Sequence, residues 1–399
     1  MNGPIQVTEG KKRIAIIDML RGFALLGIFF VNMPTFFAPG LYLDPLEYWG
    51  NGIDRALSVF VDVFFQGSFY PLFAFLFGYG AVLMRESLQE KGMSFPFYYS
   101  KRLLVLLGFG VLHAFFVWHG DILVTYALCG LVLMLFLKRK AGTLFIAGVV
   151  TYVFINGLLV LSSLMIDQRA AIGFLYDPEA VRLSINAYQN GTYSELFIRR
   201  FTDWYSVNGP FGMGLQLVTI VPMMMAGAAC AKKNWLENAV GKRGLLAAIA
   251  LSSLAIGLFL KLGPYMPLFK DYPYTILLVQ DQFGGPLMTL FYITAIVILG
   301  KTETAGKILI ALSYPGRLSM SNYLFQSLLA TSLFYSYGLG LYGQVSYTAG
   351  FCLVMIIYAG QVAGSKWWLE RFRYGPAEYI WRWGTYGVKP VFQKGGRKG

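Results

Sequence analysis

Apolar stretches long enough to cross a bilayer, which takes about 17 to 25 residues as a helix, recur along the whole chain with short polar segments between them. Membrane-spanning helices are predicted near residues 14–34, 57–84, 103–118, 122–137, 143–165, 212–231, 244–262, 282–300, 318–336 and 346–364. The fold class that follows is all-α, a polytopic integral membrane helix bundle of about ten spans, because lipid offers backbone groups no partner outside a helix or a closed barrel. One membrane domain is expected over residues 1–399, with 1–13 a cytosolic N-terminus, 14–365 the bundle, and 366–399 a basic, aromatic tail on the cytosolic face, disordered from about Gln393.

Two departures from the pattern stand out. The second span is interrupted by QGSFYP at 66–71, which predicts a kink or a broken helix, tolerated only where protein or a wet cavity covers the freed backbone. The long external segment 167–211 contains DPEAVRLSINAYQNG and TYSELFIRRFTDW, both with helical apolar spacing beside charges. Short helices lying on the membrane surface are predicted there, either capping an outward-facing cavity or simply connecting two spans. Residues 35–56 read as an irregular, acidic, aromatic loop.

Composition agrees: 56% of residues are hydrophobic and 13% charged, against about 25% charged in an ordinary soluble domain. The formal charge of +13 taken alone suggests nucleic acid, but its distribution argues against that partner. With the N-terminus inside, the inside segments hold 25 Lys plus Arg against 7 acids, and the outside segments 7 against 11. That is the positive-inside bias of an N-in, C-in protein. The segment after Lys11, Lys12 and Arg13 has the charge and apolarity of a signal peptide, yet it carries Asp18 and Arg21 and no clear small-residue cleavage site, so it reads as a retained first helix. Cys129, Cys230 and Cys352 have no paired spacing and indicate neither a disulfide framework nor a zinc site.

Polar residues inside the spans are the candidates for chemistry. Both histidines lie in LLVLLGFGVLHAFFVWHGDILVTYALCGLVLMLFL, two predicted spans joined at His119, Gly120 and Asp121. His113 falls about 16 Å along its helix from Arg102, in the outer half of the membrane. There it can serve as a base or nucleophile with its tautomer fixed by Asp121, or it can simply bond a neighbouring helix while Asp121 caps the next one. His119 reads as interfacial. Asp18 and Arg21 share a helix face and can pair, and Asn32 returns to nearly the same angle about 21 Å further on. In LSYPGRLSMSNYLFQSLL, Ser319, Asn322 and Gln326 make a polar face suited to a ligand or to ordinary interhelical hydrogen bonds. Arg317 precedes them, placed to meet a phosphate or to mark topology. Gly338, Gly340 and Gly343 match G-x-G-x-x-G literally, but they follow no strand, so the match is accidental.

RIAIIDMLRGFALLGIFFVNM, FYPLFAFLFGYG, LLGFGVLHAFFVWHGDILVTYAL and PGRLSMSNYLFQS with GPAEYIWRWGTYG, in that order, resemble the YeiB-like family of bacterial membrane proteins, a domain of unknown function. The resemblance runs nearly end to end. That family is similar to a wider group of transmembrane acyltransferases that includes heparan-α-glucosaminide N-acetyltransferase. The resemblance implies transfer of an acyl or acetyl group from cytosolic acyl-CoA to an acceptor across the plasma membrane. Asp18, Arg21, Gly22 and Asn32 match the shared first-helix signature, and His113, Gly120 and Asp121 match the bacterial branch. One departure matters: the lysosomal relative's presumed catalytic histidine follows the position matching Asn32, and here no histidine intervenes between Asn32 and His113.

The reading that results is an acyltransferase in which His113 is base or acyl carrier, Asp121 orients it and Asn32 donates to the oxyanion. Arg21 and Arg317, with Asp18, Ser319, Asn322 and Gln326, would hold the acyl-CoA co-substrate, and no metal is implied. The acceptor is a small molecule, glycan or lipid headgroup, the surroundings are membrane lipid, and a homodimer follows from the family analogy. The competing reading is a transporter or lipid-handling protein that passes a small solute along the same residues, with His113 as proton relay.

Overall fold

The computed structural model describes residues 14–50, 52–238 and 242–394. In chain order these form α1 (Ala15–Phe37), α2 (Pro45–Tyr48), α3 (Ile53–Phe64), α4 (Phe69–Glu90), α5 (Phe95–Phe116), α6 (Leu123–Phe136), α7 (Ala141–Ser163), α8 (Gln168–Leu175), α9 (Pro178–Asn190) and α10 (Tyr193–Asn208). Then come α11 (Pro210–Lys232), α12 (Arg243–Leu262), α13 (Pro273–Val279), a π-helical turn (Gln280–Gly284), α14 (Gly285–Leu299), α15 (Glu303–Arg317), α16 (Ser319–Phe334), α17 (Tyr347–Arg371) and α18 (Pro376–Tyr386). No strand occurs among the described residues beyond one isolated bridge, Phe372 to Gln393. The fold is an all-α polytopic bundle. The N-terminal residues 1–13 and the end of the tail, 395–399, lie outside the described residues.

Among the described residues, eight segments are long and apolar enough to cross a membrane: α1, α3–α4, α5, α7, α11, α12 with its 3-10 extension to Tyr265, α13–α14, and α17. The other two expected spans are α6, with 14 residues, and α16, with 16, both short of the roughly 20 needed to cross unaided. An apolar window in the sequence does not locate helix ends. Here the α5–α6 turn and the single residue Leu318 set them. Residues 303–317, expected as an inside connection, form α15.

Burial is distributed as a membrane protein requires. The apolar window of α1 is 67% buried, whereas those of α7 and α12 are 22% buried and expose Phe154 and Leu251 at more than 60%. Water-facing surface would penalise that apolar area; lipid does not. The central helices meet through glycine. A Cβ on Gly22 of α1 would lie 1.8 Å from the Leu312 carbonyl oxygen of α15, and one on Gly78 of α4 would lie 1.8 Å from the Met224 carbonyl oxygen of α11. Close backbone approach of this kind is what holds helices together where apolar burial gives no advantage over lipid.

The external segment forms the helices its spacing predicts. Asp167 and Asp177 cap α8 and α9, and Thr192 with Glu195 makes a capping box on α10. Rather than only lying on the membrane, α9 and α10 dock on the protein: Tyr188, Leu196, Arg200 and Asp203 are buried. They join a cluster of Phe36, Phe37, Trp118, Phe334, Tyr335 and Tyr342 at one end of the bundle. At the other end α18 packs along α5, where the Arg102 guanidinium stacks 3.6 Å above the Trp381 ring and Trp381 Nε1 donates to the Arg102 carbonyl. Glu378 caps α16 from outside, accepting from the Met320 and Ser321 backbone N–H groups at 2.8 and 3.1 Å. Burial raises the Glu378 carboxyl above its ordinary range, opposed by these hydrogen bonds.

Candidate functional site

The turn after α5 folds back because Val117 and Trp118 both donate backbone N–H to the His113 carbonyl. This returns Asp121 to the ring eight residues earlier: His113 Nδ1 donates to Asp121 Oδ1 at 2.9 Å. Asp121 Oδ2 accepts the Val124 N–H at 2.8 Å, so it caps α6 and holds the imidazole at once. The cap and the dyad, alternatives in the sequence, coexist. The side chains are 1% and 0% exposed. An ionised carboxylate only accepts, so Nδ1 carries the proton, and in the neutral imidazole Nε2 then keeps the lone pair. His113 Nε2 is buried and has no hydrogen-bond partner. Around the ring stand Tyr323, with centroids 5.1 Å apart, and Trp118, at 6.2 Å. Tyr323 donates its hydroxyl to the Gly120 carbonyl at 3.3 Å, whereas the buried Trp118 Nε1 has no partner. Trp118 was missed by the sequence reading because one tryptophan among many aromatics carries no signal.

The remaining predicted residues separate into groups. Asp18 and Arg21 pair at 3.3 Å. Asn32 is half-buried on α1 and its carbonyl accepts from Thr35; among the described residues no hydrogen bond joins it to His113 or Asp121. Arg317 ends α15 and Ser319 opens α16 after Leu318. Asn322 donates to Ser365 at 3.0 Å, Gln326 donates to Gln361 at 2.8 Å, and Gln361 donates back to the Asn322 carbonyl. These amides are spent joining α16 to α17, which favours the interhelical reading of that polar face.

His119, expected near the membrane interface, is 5% exposed, because α9 and α10 close over it. The Tyr188 hydroxyl donates to Asp203 at 2.7 Å, and His119 Nδ1 lies 3.1 Å from the same hydroxyl oxygen. Tyr42 donates to the other Asp203 oxygen, which also pairs with Arg199. Burial holds the His119 imidazole below its usual value, opposed by Asp203. The pocket these groups enclose has no room for a water molecule.

A second charged group was not predicted as a site. The break at 66–71 is real: α3 ends at Phe64, Gly67 takes φ +69, and α4 begins at Phe69. The π turn packs against this break, so closely that a Cβ on Gly67 would lie 2.8 Å from Asp281 Oδ1. Lys261, near the end of the span expected at 244–262, is fully buried; its ammonium donates to the Gln66 carbonyl at 3.0 Å and lies 3.5 Å from Asp281. Asp62 accepts from Tyr265 and from Gln280. Asp281 faces a cavity of about 570 Å³ bounded by α4, α7, α11, α13 and the π turn. Ile122, which follows Asp121, is one of its walls. The signal available in the sequence was a lysine near the end of one span, an aspartate at the start of the next and an interrupted third.

Residues 230–388 match a family model described as "Protein of unknown function (DUF418)", a stretch that includes Lys261, Asp281 and Glu378 but not the His113–Asp121 pair. The uncharacterized protein YxaH of Bacillus subtilis (strain 168) is 35% identical over 98% of this chain and 98% of its own length. The uncharacterized protein YeiB of Escherichia coli (strain K12) is 28% identical over 93% and 96%. An uncharacterized 39.9 kDa protein of Bacillus acidopullulyticus is 28% identical over 98% of both.

Proposed function

This chain belongs to the DUF418 family of bacterial proteins, and from that premise we propose that it is an acyltransferase of the plasma membrane. It would carry an acyl group from cytosolic acyl-CoA, acetyl-CoA in the simplest case, to a hydroxyl or amine on the extracytoplasmic side. The observation that carries the reading is the buried His113–Asp121 pair with Nε2 left unbonded. Burying an imidazole without using its second nitrogen costs free energy, and a base held in one tautomer by a carboxylate is what thioester acyl transfer needs. Nε2 takes the proton of the acceptor as its oxygen or nitrogen attacks the thioester carbon. The C–S bond then breaks, and the departing CoA sulfur receives that proton. The unpaired Trp118 Nε1 is a better-supported donor to the oxyanion than Asn32, since it belongs to the shell around the ring.

Cationic groups on the cytosolic side support the same reading. Arg102 lies eleven residues before His113 on α5, close to three turns and about 16 Å, so the two project from nearly one face. A phosphate held beside Arg102 and Arg21 would leave a pantetheine-length arm to reach the imidazole.

Purified protein given labelled acetyl-CoA should release CoA, and His113→Ala should lower that rate by about 10²-fold or more, the usual contribution of a general base. Thioester cleavage unchanged in His113→Ala would sink the proposal. The transport reading draws on the 570 Å³ cavity; solute uptake into liposomes with no CoA release would establish it instead.

A further inference from the structure

We propose that the cavity beside the π turn is a binding site for a protonated amine carried on an apolar body. The proposal stands on this cavity alone and holds whether or not His113 transfers acyl groups.

At about 570 Å³ the space falls within the roughly 300 to 1,000 Å³ of small-molecule sites. Its walls are mainly apolar, with Ile122, Leu159, Leu215 and Leu278 among them. Among its lining residues, the two fully buried polar atoms that lack a hydrogen bond are both acceptors. Asn156 is fully buried, its Nδ2 donates to the Tyr152 carbonyl at 2.9 Å, and its Oδ1 has no partner. Asp281 Oδ1 has no hydrogen bond, although Lys261 lies 3.5 Å away. The Asp281 carboxylate, 37% exposed at its side chain, is the acceptor open to the chamber, and the covered Asn156 Oδ1 is unmet behind its wall; both select a ligand that brings donors.

Charge narrows the class. Asp62, Lys261 and Asp281 form one group with two carboxylates and one ammonium, and Lys261 is already committed to the Gln66 carbonyl. Asp281 is the member of the group that faces the cavity, so a cation placed there gains the attraction of its carboxylate, whereas an anion meets a negative charge that Lys261 offsets only in part. An alcohol supplies a donor without the charge, and a quaternary ammonium the charge without the donor. The backbone is arranged for the purpose: π turns inserted in helices are frequent at functional sites, and this one projects Asp281 toward the cavity across a glycine that alone permits the approach.

The test uses the full-length protein in detergent and 2-phenylethylamine as probe, with 2-phenylethanol and 3-phenylpropionate as the neutral and anionic comparisons. The amine should bind at least about tenfold more tightly than the alcohol, and the carboxylate should not bind. Asn156→Leu should weaken the amine by about tenfold. Lys261→Met combined with Asp281→Asn removes both charges together, which spares the fold the cost of a lone buried ion, and should abolish the preference for amine over alcohol. Equal binding of amine and alcohol, or an amine preference that survives in the double variant with an unchanged melting temperature, overturns the proposal. Nanodiscs then identify the source: weaker probe binding in phosphatidylethanolamine than in phosphatidylcholine makes the natural ligand a lipid headgroup, and equal binding makes it a free amine. Both of these outcomes uphold the site.

Discussion

Asp121 and Asp281 both sit where the helical backbone is interrupted, one in the α5–α6 turn and the other in the π turn, and they are held in opposite ways. Asp121 is 0% exposed at its side chain and both oxygens are taken by internal donors, His113 Nδ1 and the Val124 N–H. Asp281 is 37% exposed at its side chain, toward a cavity, with one oxygen free of hydrogen bonds. A carboxylate with every acceptor occupied can orient a neighbour but has nothing to offer a ligand. A carboxylate left partly unmet beside empty apolar space can receive one. Ile122 connects the two regions, since it follows the first aspartate and forms a wall of the second's cavity.

The sharpest way to break this contrast is to neutralise each carboxylate. Asp121→Asn should lower CoA release by about 10²-fold or more, because the wrong tautomer withdraws the Nε2 lone pair, while leaving 2-phenylethylamine binding unchanged; calorimetry alongside turnover reads both. Equal damage to the two readouts would mean that the regions act as one site. Lys261→Met should cost about 3 kcal/mol of stability, the lower end for breaking a buried pair because Asp281 is partly wet, and thermal melts should show recovery when Asp281→Asn is added. Gly67→Ala should cost about 1–3 kcal/mol, since it strains a positive φ and drives Cβ against Asp281. It should also weaken amine binding without reducing CoA release.

The smallest effect concerns pH. Because burial lowers the folded-state value of His119 below about 6.5, the undocked state binds the extra proton first. The docking of α9 and α10 is therefore at full strength above that value and weakens as pH falls through it. Hydrogen exchange in residues 178–208 should rise on acidification, and His119→Gln should flatten the dependence. Asp203, Arg199, Arg200 and His113 bear on the same ring, so an Asp203→Asn background should enlarge the effect.

Much of this architecture was legible in sequence because its causes are local. The run of apolar residues placed α1, α5, α7, α11, α12 and α17, the interruption at 66–71 announced a break, and the apolar spacing within 177–191 and 192–204 announced the external helices. The His113–Asp121 pair was legible too, since eight residues spanning one turn leave few arrangements. Neighbouring sequence did not announce that α6 and α16 are short, that residues 303–317 form a helix against α1, or that Glu378 caps α16 from 58 positions away.

By itself the sequence determined a helical membrane bundle and the identity of one imidazole–carboxylate pair, because hydropathy and short-range spacing act within a single helix or turn. Only the tertiary structure decided that Lys261 pairs with Asp281 beneath a carbonyl 195 residues away, that His119 is enclosed, and that Asn322 and Gln326 bond to α17. Those outcomes depend on which helix faces meet, and in lipid that is set by backbone approach at glycines and by polar groups finding partners, neither of which a one-dimensional pattern records.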